Sequence, residues 1–175
     1  HVEVSRSGTE LLLQALRARA LDALVVDLRS MRPAADLRTD SLHEMRGAFM
    51  VRRGHPLARL RSGVSFEALS RYPIASTPLS DEVARMLIER YGALAHPQQC
   101  VTLRCEEIPS LVELTRRTDT VLIAIRAAGP DLVELTLSPA LNATARFALV
   151  TLAGRSEAPA LSIVRDLLRE RLRDT

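Results

Sequence analysis

Apolar and polar positions follow one another in short blocks, and strand-like blocks alternate with helix-like ones. Residues 2–5 alternate and predict a strand, whereas residues 9–20 place apolar side chains one helical turn apart. Residues 21–26 are then mostly apolar, which is typical of a strand covered on both faces. A strand, a helix and a second strand within about thirty residues predict a parallel crossover unit. We therefore expect the α/β class.

The same alternation continues through the rest of the chain. The strand-like blocks are residues 45–52, 72–76, 100–105, 120–125, 132–137 and 146–152. The helix-like blocks are residues 66–69, 81–91, 109–117 and 159–173. Ser80 predicts an N-cap, because Asp81 and Glu82 follow it in the favourable first turn, and Gly92 predicts the end of that helix. Pro109 suits the first position of the next helix.

Composition and charge narrow the class of protein. The 175 residues are 47% hydrophobic and 26% charged, which is ordinary for a folded domain or a pair of small lobes. The net charge is +3, and every basic residue is Arg, which we attribute to a GC-rich genome. A nucleic-acid surface is disfavoured because acidic residues are interleaved with the Arg residues and only 3% of residues are aromatic. Any DNA contact should lie outside this chain.

Location and redox state follow from three further observations. The chain has no apolar run of the roughly 20 residues that span a bilayer, and its first residues do not resemble a secretory signal. Cys100 and Cys105 lie five steps apart on a predicted strand, about 16 Å between Cα atoms, which is beyond disulfide reach. We expect inert, buried thiols and a cytoplasmic protein.

The motifs of common enzyme and cofactor sites are missing from the sequence. The seven glycines form no phosphate-binding loop, and no Gly-x-Ser-x-Gly elbow is present. The four His residues are scattered, and His55, before Pro56, is interpreted as a residue at the solvent edge. Glu106 and Glu107 point to opposite faces of an extended segment and cannot act as a pair. We therefore expect no enzyme, no metal and no cofactor.

Polar residues do collect where predicted strands end. They are Ser5, Ser7 and Thr9 after the first strand, Asp27 after the second, and Ser76 and Thr77 after residues 72–75. In open α/β sheets, ligands bind in the crevice at the carboxyl ends of the strands. The competing interpretation is helix capping, by Ser7 or Thr9 for one helix and by Ser80 for another.

Three segments resemble the effector-binding domain of the LysR-type transcription regulators. Residues 8–26 are similar to the family's turn, helix and following strand. Residues 49–58 resemble its strand followed by His-Pro-Leu-Ala, which is the most specific match. Residues 111–125 resemble its Leu-Val-rich helix, turn and strand, although Thr118–Thr120 replaces a glycine turn and Arg126 replaces a proline. The likeness covers nearly the whole chain.

The resemblance implies a two-lobed, type II periplasmic-binding-protein-like fold. Each lobe would be a mixed sheet flanked by helices, and two crossing strands would join them. Lobe I would comprise residues 1–50 and 147–175, and lobe II residues 51–146, with a small-molecule effector in the cleft. The family's first strand and helix have no counterpart here. The resemblance also implies an upstream winged helix-turn-helix domain for DNA and a homodimer or homotetramer.

The effector-binding residues that the resemblance implies match the strand-end residues in part. Thr9 matches the turn residue that often contacts the effector, and Asp27 the strand end facing the cleft. The others are Ser76, Thr77 and Ser80 in lobe II, and Ile108 and Arg126 from the third segment; Ser7 joins them from its strand-end position. Asp27 and Arg126 would offer one charge of each sign to a polar or zwitterionic effector, unless they pair with each other.

Three functions are compatible with this fold. The first is a sensor whose effector shifts the arrangement of the lobes and so changes promoter occupancy. The second is a transport-type solute-binding protein, which a secretion signal in the complete gene would favour. The third is an enzyme on the same fold, such as a dehydratase-like protein, for which the sequence offers no catalytic constellation. We favour the sensor.

Overall fold

The computed structural model describes residues 2–60 and 63–172, apart from the side chains of residues 41 and 42. Within these residues the helices are α1 (Thr9–Arg17), α2 (Phe66–Leu69), α3 (Asp81–Tyr91), α4 (Pro97–Cys100), α5 (Ile108–Arg117) and α6 (Leu161–Arg171). The strands are β1 (Leu24–Asp27), β2 (Leu37–Val51), β3 (Ile74–Ser76), β4 (Val101–Arg104), β5 (Val121–Ile125), β6 (Val133–Glu134) and β7 (Thr144–Leu152).

The chain divides into two compact units. Unit 1 runs to Met45 and resumes at Ala145, and unit 2 is Arg46–Thr144. The chain therefore leaves unit 1 within β2 and returns to it at the start of β7.

Unit 1 is built on strands that pair over long sequence distances. β1 is antiparallel to β7, with Leu24 opposite Val150 and Asp27 opposite Phe147. In the order of hydrogen bonding, β7 lies between β1 and β2. α1 packs against β1 through Leu13 and Leu16, so a small apolar core forms between this helix and the sheet.

Unit 2 contains the parallel part of the fold. β3 pairs in parallel with both β4 and β5, whereas β2 pairs in antiparallel with β5 and β6. α3 lies between β3 and β4 in the chain and forms the crossover that these parallel neighbours require, whereas α5 carries the chain from β4 past β3 to β5. Two apolar clusters fill this unit, and Phe49 and Leu122 are central to them.

The predictions for unit 2 are confirmed where the sequence carried capping or crossover signals. Ser80 caps α3 by accepting a hydrogen bond from the Val83 amide at 3.4 Å, and Gly92 ends the helix with a φ of +89°. Pro109 lies in the first turn of α5, one position later in the helix than predicted, because the helix begins at Ile108. The strands predicted over 72–76 and 120–125 are β3 and β5.

Four predictions for unit 1 are wrong. Residues 2–5 form no strand, and Val2 and Val4 are 56% and 84% exposed, because alternation creates a strand only where a neighbour accepts its hydrogen bonds. The parallel crossover predicted over residues 2–26 is therefore not formed. β1 is not covered on both faces, since Val25 is 40% exposed. Finally, β2 begins at Leu37, well before the predicted start at residue 45.

His55 corrects a further prediction, because its side chain is buried rather than at the solvent edge. Its Nδ1 accepts a hydrogen bond from the Leu57 amide at 3.1 Å, and its Nε2 lies 3.2 Å from the Asp119 carbonyl oxygen. The ring also packs against Tyr72, with centroids 4.6 Å apart. An imidazole whose Nδ1 accepts must carry its proton on Nε2, so His55 donates to Asp119.

The two cysteines are free and half-buried, on either side of β4. The Cys100 thiol lies 3.5 Å from the Ala95 carbonyl oxygen, and burial raises its pKa. A raised pKa lowers the thiolate fraction, so Cys100 is poorly nucleophilic.

Candidate functional site

The carboxyl ends of three parallel strands meet at one edge of the sheet in unit 2. β3 ends at Ser76, β4 at Arg104 and β5 at Ile125. α3 and α5 both begin a few residues beyond this edge, which gives it amide groups as well as side chains. Strand ends beside helix starts are where open α/β sheets bind ligands.

Ser76, Thr77 and Ser80 differ in how strongly they are engaged. Ser76 is buried, and its hydroxyl donates to the Thr77 carbonyl oxygen at 2.7 Å, which leaves its lone pairs as acceptors. Thr77 is half-buried, in the bend after β3. Ser80 serves as the N-cap of α3, so the capping interpretation is confirmed for this residue.

Ile108 and Arg126 occupy the next two positions along the edge. Ile108 is the first residue of α5 and packs against the cluster that contains Leu111 and Leu122. The Arg126 guanidinium lies in the turn after β5 and is only 18% exposed. Its Nη1 donates to the Gly129 carbonyl oxygen at 2.8 Å, its Nη2 lies 3.4 Å from that of Leu132, and its Nε lies 3.4 Å from Glu134.

Glu134 was not singled out from the sequence, although it links two arginines. It binds Arg126 through one carboxylate oxygen and the Arg46 guanidinium through both. Glu134 is on β6 and Arg46 on β2, and these strands pair. All three nitrogens of Arg126 have protein partners, so its main effect is to hold the turn over residues 126–134 in place.

In unit 1, two hydroxyl groups meet at the start of α1. Thr9 Oγ1 lies 2.9 Å from Ser30 Oγ and donates to it, because the single Ser30 hydroxyl proton goes to a carbonyl oxygen. The N-cap of α1 is Gly8, and no side chain caps this helix, so neither Ser7 nor Thr9 has the capping role considered for it. Ser7 is exposed, directly before that cap. Ser30, which sequence reasoning missed, also donates to the Asp27 carbonyl oxygen at 2.6 Å.

Asp27 ends β1 and is held by local partners. Its carboxylate receives hydrogen bonds from the Arg29 amide at 3.2 Å and from the Arg29 guanidinium at 3.0–3.3 Å. It also accepts from the Arg146 amide on β7 at 3.2 Å. Asp27 thus caps the short 3-10 turn Leu28–Ser30 and has Arg29 as its ion-pair partner. A basic residue two positions after the Asp is the signal that could have revealed this pairing.

The described residues were also considered as metal ligands and as membrane-spanning helices. No group of three His, Cys, Asp or Glu side chains in this part of the chain is placed to hold a metal ion. Among the same residues, no helix is both long and apolar enough to cross a membrane.

These features define an α/β domain of the kind that binds small molecules at strand ends. A family model described as the LysR substrate binding domain matches residues 1–173, and the chain belongs to that family. Its fold is accordingly the type II periplasmic-binding-protein-like α/β fold, and the prediction of this fold and of the family is confirmed. The chain is the substrate-binding, effector-sensing domain of a LysR-type regulator.

Individual relatives agree with this assignment. The chain is 31% identical over 163 residues to the SDS degradation transcriptional activation protein of Pseudomonas sp. (strain ATCC 19151), covering 89% of the chain but 52% of that relative. The chain thus spans about half the length of this curated relative.

Two solved structures share the fold. A transcriptional regulator from Vibrio parahaemolyticus superposes with a TM-score of 0.65 at 20% identity, covering 93% of this chain and 75% of that one. The effector binding domain of QuiR, in complex with shikimate, gives a TM-score of 0.65 at 15% identity, covering 94% of this chain and 78% of that one.

Proposed function

We propose that this chain binds a small polar metabolite and that the binding controls the activity of a DNA-binding transcription regulator. The full protein would be cytoplasmic, would bind DNA through a segment outside this chain, and would assemble as a homodimer or homotetramer. Family membership and the transcriptional activator that is 31% identical support this role. They also favour a regulator over an enzyme or a transport-type binding protein.

The observation that carries the proposal is the pair of polar strand ends. In unit 2, Ser76 and Thr77 lie where three parallel strands end, and in unit 1 the hydroxyls of Thr9 and Ser30 meet beside the end of β1. We propose that units 1 and 2 are the two lobes implied by the family and that polar groups at these strand ends bind the effector. The contacts would come from Ser7, Thr9, Ser76, Thr77, Ser80 and Ile108, with Asp27 and Arg126 behind them.

Hydrogen bonds within the protein give Asp27 and Arg126 a supporting role in the proposed site. Asp27 fixes the turn that carries Ser30, because it caps that turn and binds Arg29. Arg126 fixes the turn after β5 in unit 2, because each of its guanidinium nitrogens has a protein partner. An effector would therefore meet hydroxyl and amide groups first, and the charges of Asp27 and Arg126 only through them.

A thermal-shift screen on the intact protein tests the proposal. The panel includes shikimate and octyl sulfate, because one solved structure of the same fold is a complex with shikimate and one relative is named for SDS degradation. A ligand at 100 times its Kd stabilises the folded state by about 2.7 kcal/mol. Thr9→Val and Ser76→Ala should each reduce the shift, whereas Ser162→Ala, which removes an exposed hydroxyl on α6, should not.

Two results would contradict the proposal. Equal shifts in the wild type, Thr9→Val and Ser76→Ala would place the bound molecule elsewhere. A protein that binds a panel member but whose affinity for promoter DNA is the same with and without it would not be an effector-controlled regulator. Gel-shift titrations of the intact protein, with and without that molecule, measure this second outcome.

A further inference from the structure

His43 carries a buried ring nitrogen without a hydrogen-bond partner. Among the described residues, Nε2 of His43 is the buried side-chain nitrogen or oxygen that has no hydrogen-bond partner. The other described imidazoles behave differently. His55 uses both ring nitrogens, and the Nδ1 of His96 accepts from the Gln98 amide at 3.1 Å. A buried polar atom left unpaired costs stability, and such atoms in native proteins mark sites for a water, an ion or a ligand.

The position of His43 connects it with the strand end of unit 1. His43 lies on β2, and its neighbour Glu44 is 3.4 Å from the Nε of Arg146 on β7. The amide of the same Arg146 donates to Asp27, the last residue of β1. Arg146 therefore links the end of β1 to the residue beside His43. Because β7 lies between β1 and β2, His43 is near the level of Asp27 along the sheet, with β7 between them.

We propose that Nε2 of His43 is an effector contact, which a hydroxyl or carboxyl oxygen of the bound molecule completes. The inference rests on the proposed function and adds to it a residue that neither the strand-end pattern nor the family resemblance indicated. A hydroxyl donates to a bare Nε2, and a carboxylate accepts from a protonated one, so an oxygen satisfies this nitrogen in either tautomer.

Two variants separate a binding role from a structural one. His43→Leu removes both ring nitrogens at similar volume. His43→Gln is the matched control, because its amide group reaches the place of Nε2 and can form the same hydrogen bond. Without ligand, H43L of the intact protein should melt about 2–4 °C above the wild type, since it removes an unsatisfied polar atom, whereas H43Q should not.

The ligand arm of the experiment uses shikimate and octyl sulfate as probes. For a probe that shifts the wild type, isothermal titration should show H43L binding about 3- to 10-fold more weakly, with H43Q within about twofold of the wild type. A variant that is more stable and yet binds less well is not what a purely structural histidine would give.

Each other result overturns a defined part of the argument. If H43L melts below the wild type, Nε2 is already satisfied and the inference fails. If a probe binds the wild type and H43L equally, the inference fails while the proposed function stands. If neither probe shifts the wild type and promoter binding responds to neither, the proposed function fails, and the role of His43 as an effector contact fails with it.

Discussion

The two units are stabilised by different kinds of contact. Unit 2 has two apolar clusters and an aromatic group in which Phe49 meets Phe66 and Tyr91 edge-on, at 6.3 Å and 6.4 Å between ring centroids. Unit 1 has a smaller cluster around Leu13, Leu16 and Val150, and ion pairs connect its distant segments. The comparison teaches that unit 2 depends on packing, whereas unit 1 depends more on pairing between parts of the chain far apart in sequence.

The largest expected effect is the loss of packing in unit 2. Phe49→Ala should destabilise the protein by about 3–5 kcal/mol, because it removes a ring that is 1% exposed. Leu16→Ala, at a fully buried position of unit 1, should cost about 2–3 kcal/mol, since a small cluster has fewer neighbours to lose. Urea unfolding measures both, and a costlier Leu16→Ala would reverse the comparison.

The second effect concerns the buried imidazole of unit 2. His55→Phe should cost about 1–3 kcal/mol, because the Leu57 amide and the Asp119 carbonyl lose their partner inside the protein. His96→Phe is the control, since His96 also accepts from an amide two residues later but does so where the bond is exposed. Equal costs for the two variants would show that burial of His55 has no energetic consequence.

The third effect comes from helix caps, and the expected change in stability has opposite signs in the two units. Ser80→Ala should cost about 0.5–2 kcal/mol, because α3 loses its side-chain cap. Gly8→Ser should stabilise α1 by a few tenths of a kcal/mol, since Gly8 has an extended backbone that any residue adopts and no side chain caps this helix. Thermal unfolding of the single variants and of the double variant checks both signs, and their effects should add.

The smallest effect is electrostatic. Arg165 lowers the pKa of Glu157 in unit 1, and Arg116 lowers that of Asp131 in unit 2, in each case through side-chain hydrogen bonds. A lowered pKa means that the unfolded chain takes up protons first, so this stability is present above the ordinary pKa near 4 and is lost on acidification.

Melting temperatures between pH 7 and pH 3 measure the acid dependence. Arg165→Met and Arg116→Met should each flatten the fall in stability by a small amount, because the Arg116 pair is exposed to solvent and the Arg165 pair is only partly buried. Arg71→Met, which breaks an exposed pair with Glu67 of α2, is the control. If the melting temperature of Arg165→Met falls with pH as steeply as that of the wild type, this ion pair does not contribute to the acid dependence of unit 1.

Sequence reasoning was more successful in unit 2 than in unit 1, for a physical reason. Ser80, Gly92 and Pro109 act locally, within a turn of the residues they cap or start, so their effect is visible in a short stretch of sequence. β1 and β7 are more than a hundred residues apart, and no local signal specifies that they pair. The strand predicted over residues 2–5 failed because alternation says nothing about whether a partner strand is present.

The candidate site was predictable in its location but not in its detail. Strand-end logic placed Asp27 and Ser76 at sheet edges, and the structure has them there, whereas Thr9 follows no strand and reaches the end of β1 through its hydrogen bond to Ser30. The contact of Thr9 with Ser30 was not predictable, because it depends on the geometry of the turn after β1, which the sequence does not specify. The pairing of Asp27 with Arg29 did carry a local signal, the spacing of two residues. Likewise, the sequence could not show that Nε2 of His43 lacks a partner, because this depends on all the residues that pack around the ring.

The hydroxyl pair of Thr9 and Ser30 has a consequence for the kind of molecule it can meet. The single proton of Ser30 goes to the Asp27 carbonyl oxygen, so Thr9 gives its own proton to Ser30. Both protons are thus used within the protein, and what the pair still offers a guest is lone pairs. A guest that arrives with a proton is matched without any rearrangement, whereas one that arrives with only lone pairs has first to displace one of these two hydrogen bonds.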